Sequence, residues 1–171
     1  MNSKTTRKKV LAVSNSGGHW VQLMRLRPAW DHSDVTYLTT EAEYLDFILS
    51  DANERGLRIP QFYSTVPASA WNKFNLIRQL LKVIWVLSLT RPDVIISTGA
   101  SVGYFAFKVG KLFGAKTIWV DSIANVEELS LSGKKVQNSS DVWLTQWPHL
   151  SSIQAEGNSK IKKPDFWGAV L

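Results

Sequence analysis

Three short segments of this chain carry residue types that do chemistry. Ser14-Asn-Ser16-Gly17-Gly18-His19 and Ser97-Thr-Gly99-Ala100-Ser101-Val-Gly103 each follow an apolar run and lead into a helical pattern. Glycine at such a point allows a sharp turn and lets backbone approach a ligand closely. A helix start just beyond it offers unpaired N–H groups and the positive end of the helix dipole. Together these suit a phosphate or diphosphate. A bare strand-to-helix turn needs the same glycines, so either loop alone is a weak signal. His19 sits where its helix begins, able to donate to a phosphate or polarise an oxygen. The dipole disfavours the imidazolium there, which predicts a neutral ring. The third segment, Val120-Asp121-Ser122, closes another apolar run. Asp121 is a candidate general base for an acceptor hydroxyl, or alternatively a cap for the next segment of chain. Glu127 and Glu128 compete for any acidic role and read by default as solvated.

Neither loop carries a nucleotide fingerprint: the first is not GxGxxG, and no Gly-Lys-Ser/Thr follows it. There is no cysteine, and the three histidines, His19, His32 and His149, are scattered. That excludes disulfides and thiolate sites, leaves no metal-ligand spacing, and predicts neither metal nor cofactor.

The elements that must position these residues alternate. Apolar runs predict strands at 9–15, 35–39, 93–97, 116–120 and 142–145, with a weaker one around 57–62. Helical spacing predicts helices from Val21 to a stop near Pro28, then at 41–49, 71–89, 104–113 and 129–136. An extended tail covers 166–171. The alternation argues for α/β: a Rossmann-like, doubly wound, mostly parallel sheet. A basic tail, 1–8, precedes a single domain over 9–171. In such a sheet the order reverses between the first and fourth strands, and ligands bind above their carboxyl ends. Both glycine loops fall there.

Hydrophobic residues make up 44% and charged residues 20% of the 171, a globular mixture rather than a disordered one. The net charge of +6 gathers partly in Lys4, Arg7, Lys8 and Lys9 and in Lys160, Lys162 and Lys163. An anionic membrane surface or nucleic acid would suit it. Lysines at the two ends, rather than along one recognition helix, argue against nucleic acid. No apolar run reaches the roughly 7–15 residues of a signal-peptide core or the ~20 of a membrane span. The expectation is a cytoplasmic chain with peripheral membrane contact. The 71–89 segment interleaves Trp71, Phe74, Ile77, Leu81 and Trp85 with Lys73, Arg78 and Lys82. Its second half reads as core, and its first half, with Trp71, Lys73, Phe74 and Arg78, as the membrane contact.

Five motifs occur in order: Ser16-Gly-Gly-His19, Arg91-Pro-Asp-Val-Ile-Ile-Ser-Thr-Gly99, Val120-Asp-Ser122, Leu129-Ser-Leu-Ser-Gly-Lys134 and Asp141-Val-Trp-Leu-Thr-Gln-Trp147. The set resembles the membrane-associated acceptor subunit of the split UDP-GlcNAc transferase of eukaryotic lipid-linked oligosaccharide synthesis. It looks closer still to bacterial capsule and exopolysaccharide counterparts of PssD, EpsE or CpsF type, and is more distantly similar to the N-terminal half of MurG. The resemblance implies the N-terminal half of a GT-B glycosyltransferase divided between two chains. This chain would bind a polyprenyl-diphosphate-linked acceptor at the cytoplasmic face of the plasma membrane. A separate donor-binding subunit would supply the second half and most contacts to the UDP-sugar. Ser16, Gly17, Gly18 and His19 would line the acceptor or diphosphate side of the cleft, with Gly99, Ala100, Ser101, Gly103 and Ser122 beneath it. Asp121 stands where eukaryotic relatives more often carry Glu. The eukaryotic subunit has an N-terminal anchor where this chain has a basic stretch, so attachment through the Trp71 helix is the expected substitute. Two other readings stay open here. One is a non-catalytic scaffold that recruits a catalytic subunit. The other is a dinucleotide-binding oxidoreductase or sensor, with Glu41 as the ribose-binding acid.

Overall fold

The computed structural model describes residues 6–69, 71–151 and 163–170. Met1 to Thr5 of the basic N-terminal stretch, and Lys160 and Lys162 of the second cluster, lie outside the described residues.

Among the described residues, seven strands form one sheet in the order β3-β2-β1-β4-β5-β6-β7, and every neighbouring pair is parallel. They are β1 (Lys9–Val13), β2 (Asp34–Thr39), β3 (Gln61–Ser64), β4 (Val94–Ser97), β5 (Lys116–Val120), β6 (Val142–Thr145) and β7 (Asp165–Phe166). The helices between them are α1 (Gly18–Leu26), α2 (Tyr44–Glu54), α3 (Lys73–Thr90), α4 (Ala100–Leu112) and α5 (Leu131–Val136). This is the Rossmann-like, doubly wound architecture, and the extended tail supplies its seventh strand.

The period-2 pleat sorts the core into two layers. In β1, Leu11 and Val13 face a cluster with Val83, Val86, Leu87, Ala106, Phe107 and Val136, from α3, α4 and α5. Val10 and Ala12 face the opposite cluster, with Trp20, Leu23 and Met24 of α1 and Ile48 of α2. A central strand buried on both faces must be apolar throughout, which is why β1 reads as a continuous run. Phe107 and Trp119, both fully buried, meet edge-to-face at 5.3 Å and 85°. At the amino edge, Asp141 ties β6 to β5 through the Thr117 N–H and to α4 through Lys111. Burial raises the Asp141 pKa, but the hydrogen bonds from Lys111 and Thr117 outweigh it and hold the group at about 2.

Helix α4 begins four residues earlier than the periodicity predicts, because the small-residue loop is its first turn. Its helical residues Gly103 and Gly110 lie against the sheet. A Cβ on Gly103 would overlap Ser97 Oγ and sit 3.0 Å from Ser97 Cβ and 3.2 Å from a Trp119 ring carbon. Gly103→Ala should therefore lower stability by about 1–3 kcal/mol, although Ala is the better helix former by about 1 kcal/mol. Denaturant midpoints at unchanged slope measure this. A midpoint at or above that of the parent would mean that this packing does not limit α4.

Candidate functional site

The carboxyl ends of β1 and β4 lie side by side, and both glycine loops leave from them. Gly17 (φ 72°) precedes α1 and Gly99 (φ 139°) precedes α4, each in a conformation that L-side chains rarely adopt. Neither helix has a side-chain cap at its start or an acidic residue in its first turn. Two uncapped N-termini therefore meet at the switch point of the sheet. Ala100, the first residue of α4, also holds a positive φ of 69°. That strain in a non-glycine residue is stored beside the crevice.

The two loops are clasped. The Thr98 hydroxyl donates to the His19 carbonyl at 2.7 Å, and His19 Nδ1 lies 2.8 Å from the Thr98 carbonyl. A carbonyl can only accept, so Nδ1 carries a proton, and the tautomer this selects leaves Nε2 as the acceptor. The ring lies so close to Gly99 that a Cβ there would stand 2.5 Å from His19 Cε1 and 2.7 Å from Nδ1. Behind the first loop, the Ser16 N–H donates to Thr40 Oγ1 and the Gly17 N–H to the Tyr44 hydroxyl. Tyr44 is fixed in turn by stacking on Trp20 at 4.6 Å.

A crevice opens beside this clasp, lined by His19, Ala100 and Ser122 on one side and by Asn125, Glu128 and Ser130 on the other. His19, Ala100 and Ser122 thus line one crevice. Ser16, Gly17 and Gly18 are exposed and Gly99 is buried, and none of the four lines the crevice. Ser101 and Gly103 are not part of it. Ser101 Oγ donates to Gln79 Oε1 at 2.7 Å, on the α3 side. Gly103 is buried against Ser97 and Trp119. The physical reason is the early start of α4: its helical twist carries both residues away from the loop mouth.

Asp121 is 1% exposed and its carboxylate is occupied. The Ser130 N–H donates to Oδ2 at 2.8 Å and the Ser130 hydroxyl to Oδ1 at 2.6 Å, with Trp119 Nε1–H at 3.3 Å. The residue closes the 122–129 loop onto β5, which is the capping alternative rather than a base open to the crevice. Ser130 also accepts from the Gly133 N–H, capping α5. The loop is pinned from beneath by two buried amides. Gln22 donates to Ser122 Oγ at 3.1 Å and accepts from the Ile123 N–H at 3.0 Å. Gln146 Nε2 donates to Gln22 Oε1 at 2.6 Å and the Asp121 carbonyl at 2.9 Å, while its Oε1 accepts from the Val170 N–H at 2.8 Å.

With this geometry in place, similarity to known proteins becomes informative. Residues 10–161 match the family described as "Oligosaccharide biosynthesis protein Alg14 like". The chain belongs to that family. It is 28% identical to the UDP-N-acetylglucosamine transferase subunit alg14 of Schizosaccharomyces pombe, across 98% of this chain and 85% of the relative. It is 24% identical to the human subunit ALG14, across 82% of this chain and 76% of the relative. In three dimensions it resembles Acinetobacter baumannii MurG, with a TM-score of 0.65 at 12% identity over 92% of this chain. It also resembles the Rickettsia bellii UDP-N-acetylglucosamine 2-epimerase, with a TM-score of 0.61 at 16% identity over 84%. The chain spans under half of each of those two structures, 45% and 40%. These likenesses fix the fold as that of one GT-B-type half.

Thr98, Gln22, Gln146 and Ser130 were not singled out by sequence reasoning. Gln22 carried a signal: a polar residue flanked by Val21 and Leu23 in an amphipathic helix. The pattern predicts Val21 inside, yet Val21 is 50% exposed and Gln22 is buried. Among the described residues no three His, Asp or Glu side chains gather as a metal site.

Helix α3 also departs from expectation. Trp71, just before it, is 96% exposed and Phe74 68%. Lys73 and Arg78 are exposed beside them. The second half is not all core, because Leu81, Trp85 and Leu89 continue the exposed stripe while Val83, Val86 and Leu87 are buried. No helix among the described residues is long and apolar enough to cross a membrane.

Gly99→Ala should displace the His19 ring and lower stability by about 1–3 kcal/mol, from a strained φ plus the clash. Imidazole nitrogen NMR of the parent should report the Nδ1–H form, and Gly99→Ala should lose that preference. An unchanged tautomer in the variant would mean that Gly99 does not hold the ring against Thr98.

Proposed function

We propose that this chain is the acceptor-binding subunit of a two-component glycosyltransferase. It would pair with a donor-binding subunit to transfer a sugar from a UDP-sugar to a polyprenyl-diphosphate-linked saccharide. The observation that carries the reading is the His19–Thr98 clasp at a crevice between two uncapped helix N-termini, in a chain of the Alg14-like family. The finer reading is exopolysaccharide or capsule synthesis at the cytoplasmic face of the plasma membrane. It draws on the likeness to PssD, EpsE and CpsF-type proteins.

In this mechanism the diphosphate of the acceptor approaches the N–H groups at the starts of α1 and α4, where the dipoles favour negative charge. The acceptor hydroxyl attacks the anomeric carbon of the donor, with inversion. His19 Nε2 takes its proton, and the imidazolium that forms is stabilised by the Nδ1–H bond to the Thr98 carbonyl. The negative charge on departing UDP is met by helix N-termini contributed chiefly by the partner. Asp121, with its oxygens engaged by Ser130, serves as a positioning residue for Ser122 and the crevice wall. Trp71, Lys73, Phe74 and Arg78 rest on the membrane surface and hold the crevice near a lipid-borne substrate.

Sugar transfer to a lipid-linked acceptor, assayed with and without the donor-binding subunit, tests the divided enzyme: transfer by this chain alone would sink it. In the reconstituted pair, His19→Ala should lower kcat by about 10²–10⁴-fold, assayed below the thermal midpoint of the variant, which falls because the Thr98 carbonyl loses its Nδ1–H partner. Undiminished turnover would favour the non-catalytic scaffold. The membrane contact makes a separate prediction. Trp71→Ala with Phe74→Ala should weaken binding to lipid vesicles by at least about tenfold, given the apolar area removed. Equal sedimentation of variant and parent with vesicles would remove this face from the membrane.

A further inference from the structure

A second recess lies beyond the crevice, between the carboxyl end of β3 and the first half of α3. Ser64, Thr65, Val66 and Pro67 form one wall, and Arg78 and Lys82 form the other. Helix α3 carries Lys73, Arg78 and Lys82 and no acidic residue. Among the described residues, neither Arg78 nor Lys82 has an ion-pair partner. What holds them is aromatic. The Lys82 ammonium sits 4.3 Å from the Trp85 ring centre and 5.7 Å from that of Tyr63, and the Arg78 guanidinium lies 5.8 Å from that of Phe74. Aromatic faces orient cations without neutralising them. Four residues apart on a helix, the two side chains are neighbours on one face. Thr65 lines this recess, with its hydroxyl oxygen enclosed behind the surface. Thr65 Oγ1 is buried and has no hydrogen-bond partner, a state that costs free energy unless something completes it.

We propose that this recess binds the phosphate of an anionic phospholipid headgroup. Two cations fit a phosphate diester carrying one negative charge, and a rotamer turn of Thr65 brings its enclosed hydroxyl to the same phosphate. The commitment to a lipid, rather than free phosphate, comes from the surroundings. The exposed stripe Phe74, Ile77, Leu81 and Trp85 runs along the same helix and would take up the acyl region next to the headgroup. The inference rests on the membrane contact proposed above and adds a discrete site to it. That site also joins the glycine loops: Gln79, fully buried in α3, donates to the Val66 carbonyl and accepts from the Ser101 hydroxyl of α4. A headgroup seated against Val66 would thus brace the second loop of the crevice.

Thr65→Val is the sharpest test, because it removes an unpartnered hydroxyl without changing charge or shape. Such a change should leave the thermal midpoint the same or slightly higher. Binding to phosphatidylcholine vesicles with and without phosphatidylglycerol is measured by flotation. The variant should lose about tenfold in affinity for the anionic vesicles, the strength of a hydrogen bond to a charged group, and nothing for the neutral ones. Arg78→Gln should lose more than Lys73→Gln, which lies outside the recess and should cost about fivefold as one surface charge. A soluble short-chain phosphatidylglycerol should bind saturably in the same recess by NMR, more tightly than inorganic phosphate or a soluble prenyl diphosphate. Parent-like binding by Thr65→Val to anionic vesicles, or tighter binding of either of those other two ligands, overturns the headgroup site while leaving the Trp71 and Phe74 contact standing. No binding of the parent to either vesicle overturns the membrane contact itself, and the site with it.

Discussion

Two hydrogen bonds between residues 79 positions apart hold the functional edge of this protein together. Thr98 donates its hydroxyl to the His19 carbonyl, and His19 returns a bond from Nδ1 to the Thr98 carbonyl. Each satisfies a carbonyl in a loop that no strand can reach, and each fixes the other residue's side chain. The clasp forms only because β1 and β4 are neighbours in the sheet and because Gly99 offers no Cβ to the approaching ring. Sheet order, a glycine and a histidine tautomer are thus one constraint seen at three levels. If the sheet order changed, His19 would lose the carbonyl that sets its proton on Nδ1, and with it the basic nitrogen proposed for catalysis.

The opposite wall of the crevice is built by a different device. Most of the 122–129 loop has no regular structure, so its backbone groups need partners from elsewhere. Asp121, Gln22 and Gln146 supply them from positions that are nearly or wholly buried. A buried carboxylate or amide is costly unless saturated, and each of these is engaged at both ends. Saturation also makes the network rigid. It reaches the tail at Val170, so the crevice wall, α1 and the stretch after β7 are tied by one connected group of polar side chains.

Much of this fold was legible in the sequence because central strands of a parallel sheet must be apolar on both faces. β5 and β6 emerge at their predicted bounds, and β1 and β4 lie within theirs. Apart from α4, whose first turn is the small-residue loop, the clearest shifts fall where burial is weaker. β3 lies at the edge of the sheet with no buried residue, and α2 buries only Ile48 and Ala52. The site was half legible. Glycine next to histidine after a buried strand announced a crevice, since glycine's freedom and a helix N-terminus are local properties. The orientation of His19 was not, because it depends on Thr98 from a distant loop. Gln22 illustrates the same limit. Local amphipathicity places Val21 inward, but tertiary partners for the amide outweigh one exposed valine. Asp121 was open between base and clamp in sequence, and only the position of Ser130 separates them.

Helix α3 poses an energetic question that the sheet alone does not answer. Its buried face, Val83, Val86 and Leu87, is sufficient to fasten it to the core. Its other face keeps Phe74, Ile77, Leu81, Trp85 and Leu89 in solvent over the whole length of the helix. Scattered surface apolar residues need no explanation, but a continuous stripe of large ones on a monomer does. Stability of the isolated fold cannot account for it, since polar residues there would leave the core contacts intact. The cations beside it carry the same implication, for among the described residues Arg78 and Lys82 sit over aromatic rings and pair with no carboxylate. A face that is apolar along its crest and cationic along its flank complements one kind of surface, apolar inside and anionic at its boundary. The same helix touches the second glycine loop through Gln79 and Ser101, so the membrane contact proposed for it would also bear on the frame in which His19 is set.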